Sequence, residues 1–261
     1  METINHFESR FSGIGRLYGR STLSSLLNAH VAVIGIGGVG SWTAEALVRS
    51  GVGKITLVDL DDICISNTNR QLHTLHNNIG QQKVNAMAER MKLINPDCQV
   101  SIINDFFLQS NAEDILSQGF DYVVDAIDSL RSKVTLIAMC KHLHIPMVTV
   151  GGAGGRRNPA MIQHGDLNES YNDPLLRKVR RQLRIDHQFP EKGDFGIASV
   201  FSPERPYMAM ENGDVCLVPK KKKLSLNLNC NSGFGTASFV TGTFGFTAAA
   251  VAVAHLTDKE I

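Results

Sequence analysis

The first 150 residues alternate between short apolar runs and longer stretches in which apolar residues recur every three or four positions. The short runs, rich in β-branched residues, predict buried strands at 31–34, 54–58, 100–103, 121–125 and 146–150. The longer stretches predict helices at 41–49, 81–94 and 129–143. This alternation predicts a Rossmann-like, doubly wound α/β fold with a mostly parallel sheet and helices on both faces.

The alternation stops after Val150. The run Gly-Gly-Ala-Gly-Gly that follows predicts a flexible, hinge-like turn. Beyond it the pattern is irregular, with a basic helix at 173–185, strands at 197–201 and 215–218 and a charged loop at 220–223. Because no linker divides the chain, we predict a single domain over 1–261. Its expected parts are a nucleotide-binding core at 1–155, an irregular basic substrate-side segment at 156–230 and a buried core or interface helix at 231–256.

One apolar stretch is long enough to cross a bilayer. Residues 234–256 contain no Asp, Glu, Lys or Arg. They also contain three Gly and four Thr, much of the remainder is Ala, and no basic cluster or aromatic belt marks both ends. This composition favours a buried helix over a membrane span, so we expect no stable membrane insertion.

Charge is balanced overall and uneven along the chain. The net charge is +1, which by itself predicts no partner. Residues 151–230, however, hold thirteen Lys and Arg against nine Asp and Glu, whereas the rest of the chain holds thirteen against sixteen. A basic segment on a mildly acidic body is typical of a protein with a polyanionic partner, although many such segments are simply solvated.

The five cysteines define the expected compartment. They are scattered, and no two have CxxC spacing, which excludes a recognisable zinc ribbon or redox pair. The N-terminus has neither the basic region nor the apolar region of a signal peptide. Both observations predict a cytoplasmic protein in a reducing setting.

A glycine-rich segment joins the first predicted strand to the first predicted helix. Gly35, Gly37, Gly38 and Gly40 fit the pattern GxGxxG, which permits a tight turn and brings the helix N-terminus close to a phosphate. Asp59 ends the next strand, where a carboxylate suits the hydroxyls of a ribose. These features predict nucleotide binding, but they do not distinguish NAD from ATP.

Charged residues that follow the glycine-rich segment favour ATP. Arg70 and Lys83 supply cations, and Asp128 follows the fourth strand, at the edge where open α/β sheets bind ligands. A triphosphate needs cations to offset its charge and a carboxylate to hold Mg²⁺, whereas a dinucleotide needs neither. Taken singly, each residue also has an ordinary role: a surface ion pair for Arg70, a helix-face charge for Lys83 and a helix cap for Asp128.

The ordered set of motifs resembles the adenylating domain of ubiquitin-activating (E1-like) enzymes, whose bacterial members activate sulfur-carrier proteins. The matching segments are GxGGxG at 35–40, SNxxRQ at 66–71, GQxK at 80–83 and DxxD at 125–128. The resemblance implies a nucleotide site formed by Gly35, Gly37, Gly38, Gly40, Asp59, Asp61, Asn67, Arg70, Gln71, Lys83, Asp125, Ala126, Ile127 and Asp128. It implies that Asn67, Arg70 and Lys83 contact the ATP phosphates, Asp59 the ribose and Asp128 the Mg²⁺. It also implies a homodimer.

In that family an arginine reaches the triphosphate of the partner subunit. The resemblance therefore implies four catalytic residues, Arg16, Arg70, Lys83 and Asp128. Arg16 is assigned by matching Arg16 and Gly19 to the family pattern, in which the spacing is three residues longer, so Arg10 and Arg20 remain alternatives.

Further segments resemble a narrower branch, the tRNA threonylcarbamoyladenosine dehydratases. They are 10–19, 67–71, 150–155 and 230–235. This resemblance implies ATP-dependent adenylation of the threonylcarbamoyl carboxylate on an adenosine beside the tRNA anticodon, followed by ring closure with loss of AMP. The basic residues expected to bind tRNA are Arg156, Arg157, Arg177, Lys178, Arg180, Arg181, Arg184 and Lys220–Lys223.

Several alternatives stay open at this point. The sulfur-carrier activators carry two CxxC pairs for zinc, which this chain lacks, and this weakens the alternative that it adenylates the C-terminus of a ubiquitin-like carrier. A dinucleotide-dependent Rossmann protein and a non-catalytic nucleotide-dependent module are the other two. A role for Cys216 or Cys230 and a sulfur-transfer protein partner are also left open.

Overall fold

The computed structural model describes residues 6–218 and 234–261. A seven-stranded sheet with the order β3-β2-β1-β4-β5-β7-β6 forms its centre, and all neighbouring strands are parallel except β6 and β7. The strands are β1 His30–Ile34, β2 Lys54–Val58, β3 Gln99–Ile103, β4 Tyr122–Asp125, β5 Met147–Val150, β6 Gln163–Asp166 and β7 Ala198–Phe201. Strands β8 Tyr207–Ala209 and β9 Val215–Leu217 form a separate antiparallel pair.

Helices cover both faces of the sheet. They are α1 His6–Tyr18, α2 Thr22–Asn28, α3 Gly40–Arg49, α4 Lys83–Ile94, α5 Ala112–Leu116, α6 Leu130–His142, α7 Pro174–His187 and α8 Ser238–Thr257. One apolar cluster joins the sheet to α2, α3, α4 and α8, and a second joins it to α5, α6 and α7. The fold class predicted from the alternation is therefore confirmed, and the predicted core elements agree with the structure to within two residues.

The sheet does not end at Val150, where the alternation stops. Strand β7 lies parallel to β5, with Val148 opposite Ala198, and β6 closes the edge in the antiparallel direction. Part of the segment predicted to be irregular is therefore core structure. The alternation is lost because β5 and β7 are joined by about 47 residues that contain β6 and α7, instead of by one helix.

The glycine-rich segment after β5 is anchored at several points, contrary to the prediction of a flexible turn. The amide of Gly155 donates to the carbonyl of Gly235, and its carbonyl accepts from the amide of Tyr207. The carboxylate of Asp173 accepts from the amide of Gly152. Small residues are required here because the strand β8, the start of α7 and the chain before α8 all approach closely.

The apolar stretch near the C-terminus forms α8. By length and composition alone this helix could cross a membrane, with a mean hydropathy of 1.5 over its most apolar window. Most of that window is buried against α3, α2 and the strands β4, β5 and β7. The predicted charged loop at 220–223, together with Cys230, lies outside the described residues.

Candidate nucleotide-binding site

The loop between β1 and α3 is held in one conformation that excludes side chains at two positions. Gly35 has φ of +90°, and a Cβ there would lie 2.9 Å from the carbonyl oxygen of Ala126. A Cβ on Gly40 would lie 1.8 Å from the carbonyl oxygen of Gly35. The loop thus packs directly against the end of β4 and exposes the N-terminus of α3, where backbone amides favour an anion.

Asp59 is fixed at the carboxyl end of β2. Its carboxylate accepts hydrogen bonds from the amides of Ile36, at 2.6 Å, and Asp61, at 2.9 Å. Burial raises the pKa of Asp59, while the nearby ammonium of Lys83 and the two amides act in the opposite direction. The carboxylate is therefore tied to the glycine loop at the position predicted for a ribose contact.

Lys83 is a buried cation beside this carboxylate. It is the first residue of α4, and its Nζ lies 2.6 Å from Oδ2 of Asp61 and 3.9 Å from Oδ1 of Asp59. The carboxylate of Asp61 is about half exposed. Asp61 therefore holds the lysine in place, a role that the sequence pattern does not indicate.

Arg70 lies against the opposite part of the glycine loop. Its side-chain stem lies 3.3 Å from the point where a Cβ of Gly38 would be. Its backbone carbonyl accepts hydrogen bonds from the indole of Trp42 in α3 and the hydroxyl of Thr241 in α8. Its guanidinium donates to the carbonyl of Ser66. A helix from the far end of the chain thus positions this arginine.

Two other residues of the SNxxRQ segment have different surroundings. Asn67 is buried, and its side-chain oxygen accepts from the amide of Cys64, which shapes the turn that presents Arg70. Gln71 is also buried, and its Nε2 lies 3.9 Å from the point where a Cβ of Gly37 would be. The Oε1 of Gln71 has no partner among the described residues.

His73 is a further buried polar residue in this region. It is 1% exposed, and neither ring nitrogen has a hydrogen-bond partner among the described residues. Burial, with a contribution from Lys83, lowers the pKa of His73 to about 4. The imidazole is therefore neutral near pH 7 and adds no charge to the site.

The two carboxylates of the DxxD segment differ sharply. Asp125 is completely buried, and its Oδ2 lies 2.8 Å from Nζ of Lys133, which is also completely buried. Its carboxylate is thus occupied inside the protein, so only its backbone is left to line a nucleotide site. Asp128 is exposed, and no hydrogen bond or ion pair of its side chain is found among the described residues.

The surroundings of Asp128 fit a Mg²⁺ ion bound jointly with phosphate. No group of three or more His, Cys, Asp or Glu side chains suited to a metal is found among residues 6–218 and 234–261. Mg²⁺ commonly uses one or two protein carboxylates, with water and phosphate oxygens completing the octahedron. An exposed carboxylate without a protein partner at the ligand-binding edge of the sheet meets that requirement.

Among the described residues, the side chain of Arg16 has no hydrogen bond or ion pair with the residues of this site. It is an exposed residue in the last turn of α1. That helix packs near the amino ends of β2 and β3. Phe11 contacts Gly51, which precedes β2, and Arg10 donates to the carbonyl of Ile94, which precedes β3. All three candidate arginines are exposed; Arg10 donates a hydrogen bond to α4, whereas no hydrogen bond or ion pair of the Arg16 and Arg20 side chains is found among the described residues.

The described basic residues of the middle segment differ in their exposure to solvent. Arg156 is buried, with Nη2 3.7 Å from the carboxylate of Asp173, so it is not available to grip RNA. On α7, Arg180 donates to Ser170 and Arg184 to Asn168, while Arg177 and Arg181 point to solvent. Of the four arginines of α7 expected to bind tRNA, Arg180 and Arg184 are half-buried and anchor the helix, which leaves Arg177 and Arg181 exposed.

Several residues that support the site could not be identified from any sequence motif. Trp42, Thr241 and Lys133 act through contacts with residues 16 or more positions away, or with strand ends that only the fold defines. The one signal in the sequence is a lysine, Lys133, within a predicted helix that is rich in apolar residues, because lysine is rarely buried without a partner.

Comparison with known proteins agrees with this geometry. The ThiF family pattern matches residues 12–260. The chain is 47% identical over 262 residues to tRNA threonylcarbamoyladenosine dehydratase of Haemophilus influenzae, covering 100% of this chain and 98% of that protein.

Solved structures agree as well. A crystal structure of E. coli tRNA N6-threonylcarbamoyladenosine dehydratase, TcdA, in complex with ATP has a TM-score of 0.85 and 43% identity, covering 97% of this chain and 96% of that one. The same E. coli protein in complex with AMP has a TM-score of 0.84 and 44% identity, with the same coverage. Since the family match spans almost the whole chain, this chain belongs to the ThiF family of E1-like enzymes.

Proposed function

We propose that the chain is an ATP-dependent enzyme that converts the threonylcarbamoyl group of a tRNA adenosine into a cyclic product with net loss of water. One observation carries the proposal: a glycine loop flanked by Arg70, Lys83, Asp59 and Asp128, in a chain alignable end to end with dehydratases that have this activity by name. The site offers both the cations and the carboxylates that a triphosphate requires.

The reaction begins with the free carboxylate of the threonylcarbamoyl group. Its oxygen attacks the α-phosphorus of ATP, the bond to the β-phosphate oxygen breaks, and an acyl-adenylate and pyrophosphate form. Arg70 and Lys83 offset the negative charge that accumulates on the phosphates during this displacement. Asp59 orients the nucleotide through its ribose, since its carboxylate is fixed to the glycine loop.

Asp128, together with phosphate oxygens, would hold a Mg²⁺ ion, which would supply further neutralisation of the triphosphate charge. Asp128 suits this role because its carboxylate is exposed and has no partner among the described residues. Lys83 remains paired with Asp61 in the free protein, so the cation is already oriented when nucleotide arrives.

The second step needs little from the protein. A nitrogen of the urea group attacks the activated carbonyl carbon and gives up its proton to solvent, the ring closes, and AMP leaves with the oxygen that it received from the carboxylate. Because nucleophile and electrophile are on one side chain, tethering can lower the barrier by about 7–11 kcal/mol. The residues of the site are accordingly suited to phosphate chemistry, and no histidine or cysteine base is required.

We infer that tRNA is bound through its phosphates by exposed basic residues near the sheet edge that carries the site. Arg157 is exposed and stacks over Tyr207, 3.9 Å from its ring centroid. Arg177 and Arg181 extend the basic surface along α7, whose first turn contacts the segment after β5. Loops of RNA are commonly held by phosphate contacts and by stacking on aromatic or guanidinium groups.

We infer a homodimer in which Arg16 of one subunit reaches the triphosphate of the other. The support is twofold: Arg16 is exposed on α1, which packs beside Gly51 and Ile94, and α8 exposes Phe239 and Phe246 on one face. Exposed aromatic residues one heptad apart are typical of an interface helix.

We also propose a cytoplasmic location, on the basis of the free cysteines, and a sulfur-transfer protein as a further partner.

The test is mass spectrometry of nucleosides from threonylcarbamoylated tRNA incubated with the protein, ATP and Mg²⁺. We expect a product lighter by one water that forms only with ATP. The Asp128→Ala variant should form almost none while retaining its fold by circular dichroism. The variant Asp62→Ala removes an exposed carboxylate of the neighbouring loop and serves as a control with near-normal turnover. An unchanged nucleoside with the wild-type protein would refute the proposed reaction, and normal turnover by Asp128→Ala would refute the role of that carboxylate.

A further inference from the structure

Lys133 is a charged side chain completely enclosed by the protein. Its Nζ lies 2.8 Å from Oδ2 of Asp125, 3.2 Å from Oγ1 of Thr149 and 3.5 Å from the carbonyl oxygen of Asp125. The hydroxyl of Thr149 also donates to Asp125 at 2.7 Å. Three elements, β4, β5 and α6, therefore meet at one buried polar network.

Stability alone gives little reason for such a network. Removing both charges from water carries a large desolvation cost, and apolar pairs of similar size are often as stable or more stable. Asp125 and Lys133 are each 0% exposed, so this cost applies to both. A buried pair of this kind needs another reason, and its position in the chain supplies one.

The pair closes the loop that carries Asp128. Asp125 is the last residue of β4, and Lys133 lies in the first turn of α6. The other carboxylate oxygen of Asp125 accepts from the amide of Ile127 at 3.1 Å, which fixes the turn. Asp128 itself has no side-chain partner among the described residues, so its position depends on the backbone of this loop.

The front of the same loop is held by the glycine segment. The carbonyl of Ala126 would be 2.9 Å from a Cβ on Gly35, and the amide of Ala126 donates to the carbonyl of Ile34. The residues before Asp128 therefore contact the glycine segment through Ala126 and the Lys133 network through Asp125. This arrangement restricts the loop on both sides of the exposed carboxylate.

We propose that Lys133 is a positioning residue: bridging Asp125 and Thr149, it sets the backbone of 125–129 so that the Asp128 carboxylate meets the Mg²⁺ of the bound nucleotide. The inference rests on the proposed role of Asp128. Lys133 does not touch the substrate or the metal. It acts through the backbone of the loop. In other proteins, residues that hydrogen-bond to a metal ligand orient that ligand in a comparable way.

The experiment measures metal binding instead of turnover. The variant Lys133→Met/Asp125→Asn removes both charges, so no buried ion is left unpaired. With ATP bound, Mn²⁺ is titrated as a substitute for Mg²⁺ and free Mn²⁺ is followed by electron paramagnetic resonance. We expect Mn²⁺ to bind about tenfold more weakly or worse than in the wild type, the loss typical when a partner of a metal ligand is removed. Thermal midpoint and ATP binding in EDTA should stay close to wild-type values.

Two further variants make the result decisive. Thr149→Val is similar in shape and removes the hydroxyl shared by Lys133 and Asp125, so it should weaken Mn²⁺ binding to a smaller extent even if the double variant folds poorly. Arg90→Met removes a cation from the buried carboxylate of Glu45, away from the loop, and should leave Mn²⁺ binding unchanged. Wild-type Mn²⁺ affinity in both the folded double variant and Thr149→Val would overturn the inference.

Asp128→Ala, measured in parallel, separates this inference from the proposed function. If Asp128→Ala retains wild-type Mn²⁺ affinity, the proposed metal role of Asp128 is wrong. If it loses Mn²⁺ binding and the Lys133 and Thr149 variants do not, only the positioning role is wrong.

Discussion

Three charged side chains beside the glycine loop, those of Asp59, Lys83 and Arg70, are held in place by partners before any nucleotide binds. Asp59 is fixed by two backbone amides, and Lys83 is fixed by Asp61. Arg70 is less buried than Lys83, and its backbone is anchored by Trp42. Because these side chains are already oriented, they lose less conformational entropy when the nucleotide binds. Preorganised charge therefore favours binding and stabilises the transition state.

His73 gives a prediction at this scale, on the dependence of stability on pH. Its pKa is about 4 in the folded protein and near 6.5 when unfolded, so the unfolded state binds the extra proton between these values. Stability should therefore fall as pH drops from 6.5 toward 4, and this residue accounts for a loss of about 3 kcal/mol over the window.

Urea unfolding of wild type and His73→Leu at pH 7, 6, 5 and 4.5 measures this loss. The variant should show a clearly shallower fall in the free energy of unfolding, because leucine has no proton to bind. His76→Leu, at an exposed position nearby, is the control and should keep the wild-type slope. Equal slopes for wild type and His73→Leu would contradict the assignment.

The helix α8 connects the end of the chain to the nucleotide site. Thr241 contacts the backbone of Arg70, and the hydroxyl of Thr43 in α3 donates to the carbonyl of Gly245. The two helices approach closely because α8 carries glycines where it crosses α3. An apolar helix in this place contributes to the core and also supports the arginine of the site.

Two glycines of α8 give a matched pair of predictions at the scale of elements. A Cβ at Gly245 would lie 2.6 Å from the carbonyl oxygen of Val39 and 2.8 Å from Cβ of Trp42, whereas at Gly242 the nearest atom would be 3.6 Å away. Gly245→Ala should destabilise the fold by about 1–3 kcal/mol through overpacking. Gly242→Ala should be neutral or stabilise it, since alanine favours a helix by about 1 kcal/mol.

Chemical denaturation of both variants checks this pair, and nucleotide binding adds a second measure. Because Val39 belongs to the glycine loop, Gly245→Ala should also weaken ATP binding, while Gly242→Ala should not. Equal stability of the two variants would mean that α3 and α8 can separate without cost, against the packing observed.

At the scale of the whole molecule, the position of Arg16 predicts a shared site. Arg16→Ala and Asp128→Ala should each be inactive as homodimers. Mixed under conditions of subunit exchange, they should regain activity, because half of the subunits form heterodimers with one intact site. If activity does not recover although subunit exchange is demonstrated, Arg16 does not act across the dimer. The same mixing experiment with Arg20→Ala distinguishes Arg16 from Arg20.

The surface of α7 predicts how tRNA affinity depends on salt. Arg177→Gln/Arg181→Gln should weaken tRNA binding and reduce the slope of log K against log salt, because fewer counterions are released. Arg180→Gln/Arg184→Gln should mainly lower the thermal midpoint, since both side chains are engaged within the protein. An unchanged slope in the first pair would assign that surface to solvent.

The sequence by itself determined the fold class, the glycine loop and the charged residues proposed for the site. These are local features: a strand, a tight turn and a helix start are encoded by neighbouring residues, and motifs such as 66–71 and 80–83 remain close to the strand ends that position them. The assignment of Asp128 also rests on local sequence, because this residue comes shortly after the end of β4. Periodicity and glycine positions therefore sufficed for this part.

Only the tertiary structure decided which of these residues face a ligand and which face the interior. Asp125 and Asp128 are alike in the sequence, yet Asp125 is buried against Lys133 and Asp128 is exposed. Arg156 and Arg157 differ in the same way. The continuation of the sheet into β7, and the support of Arg70 by Thr241, depend on contacts across 50 to 171 positions. Burial and pairing arise from such long-range packing, which local periodicity does not encode.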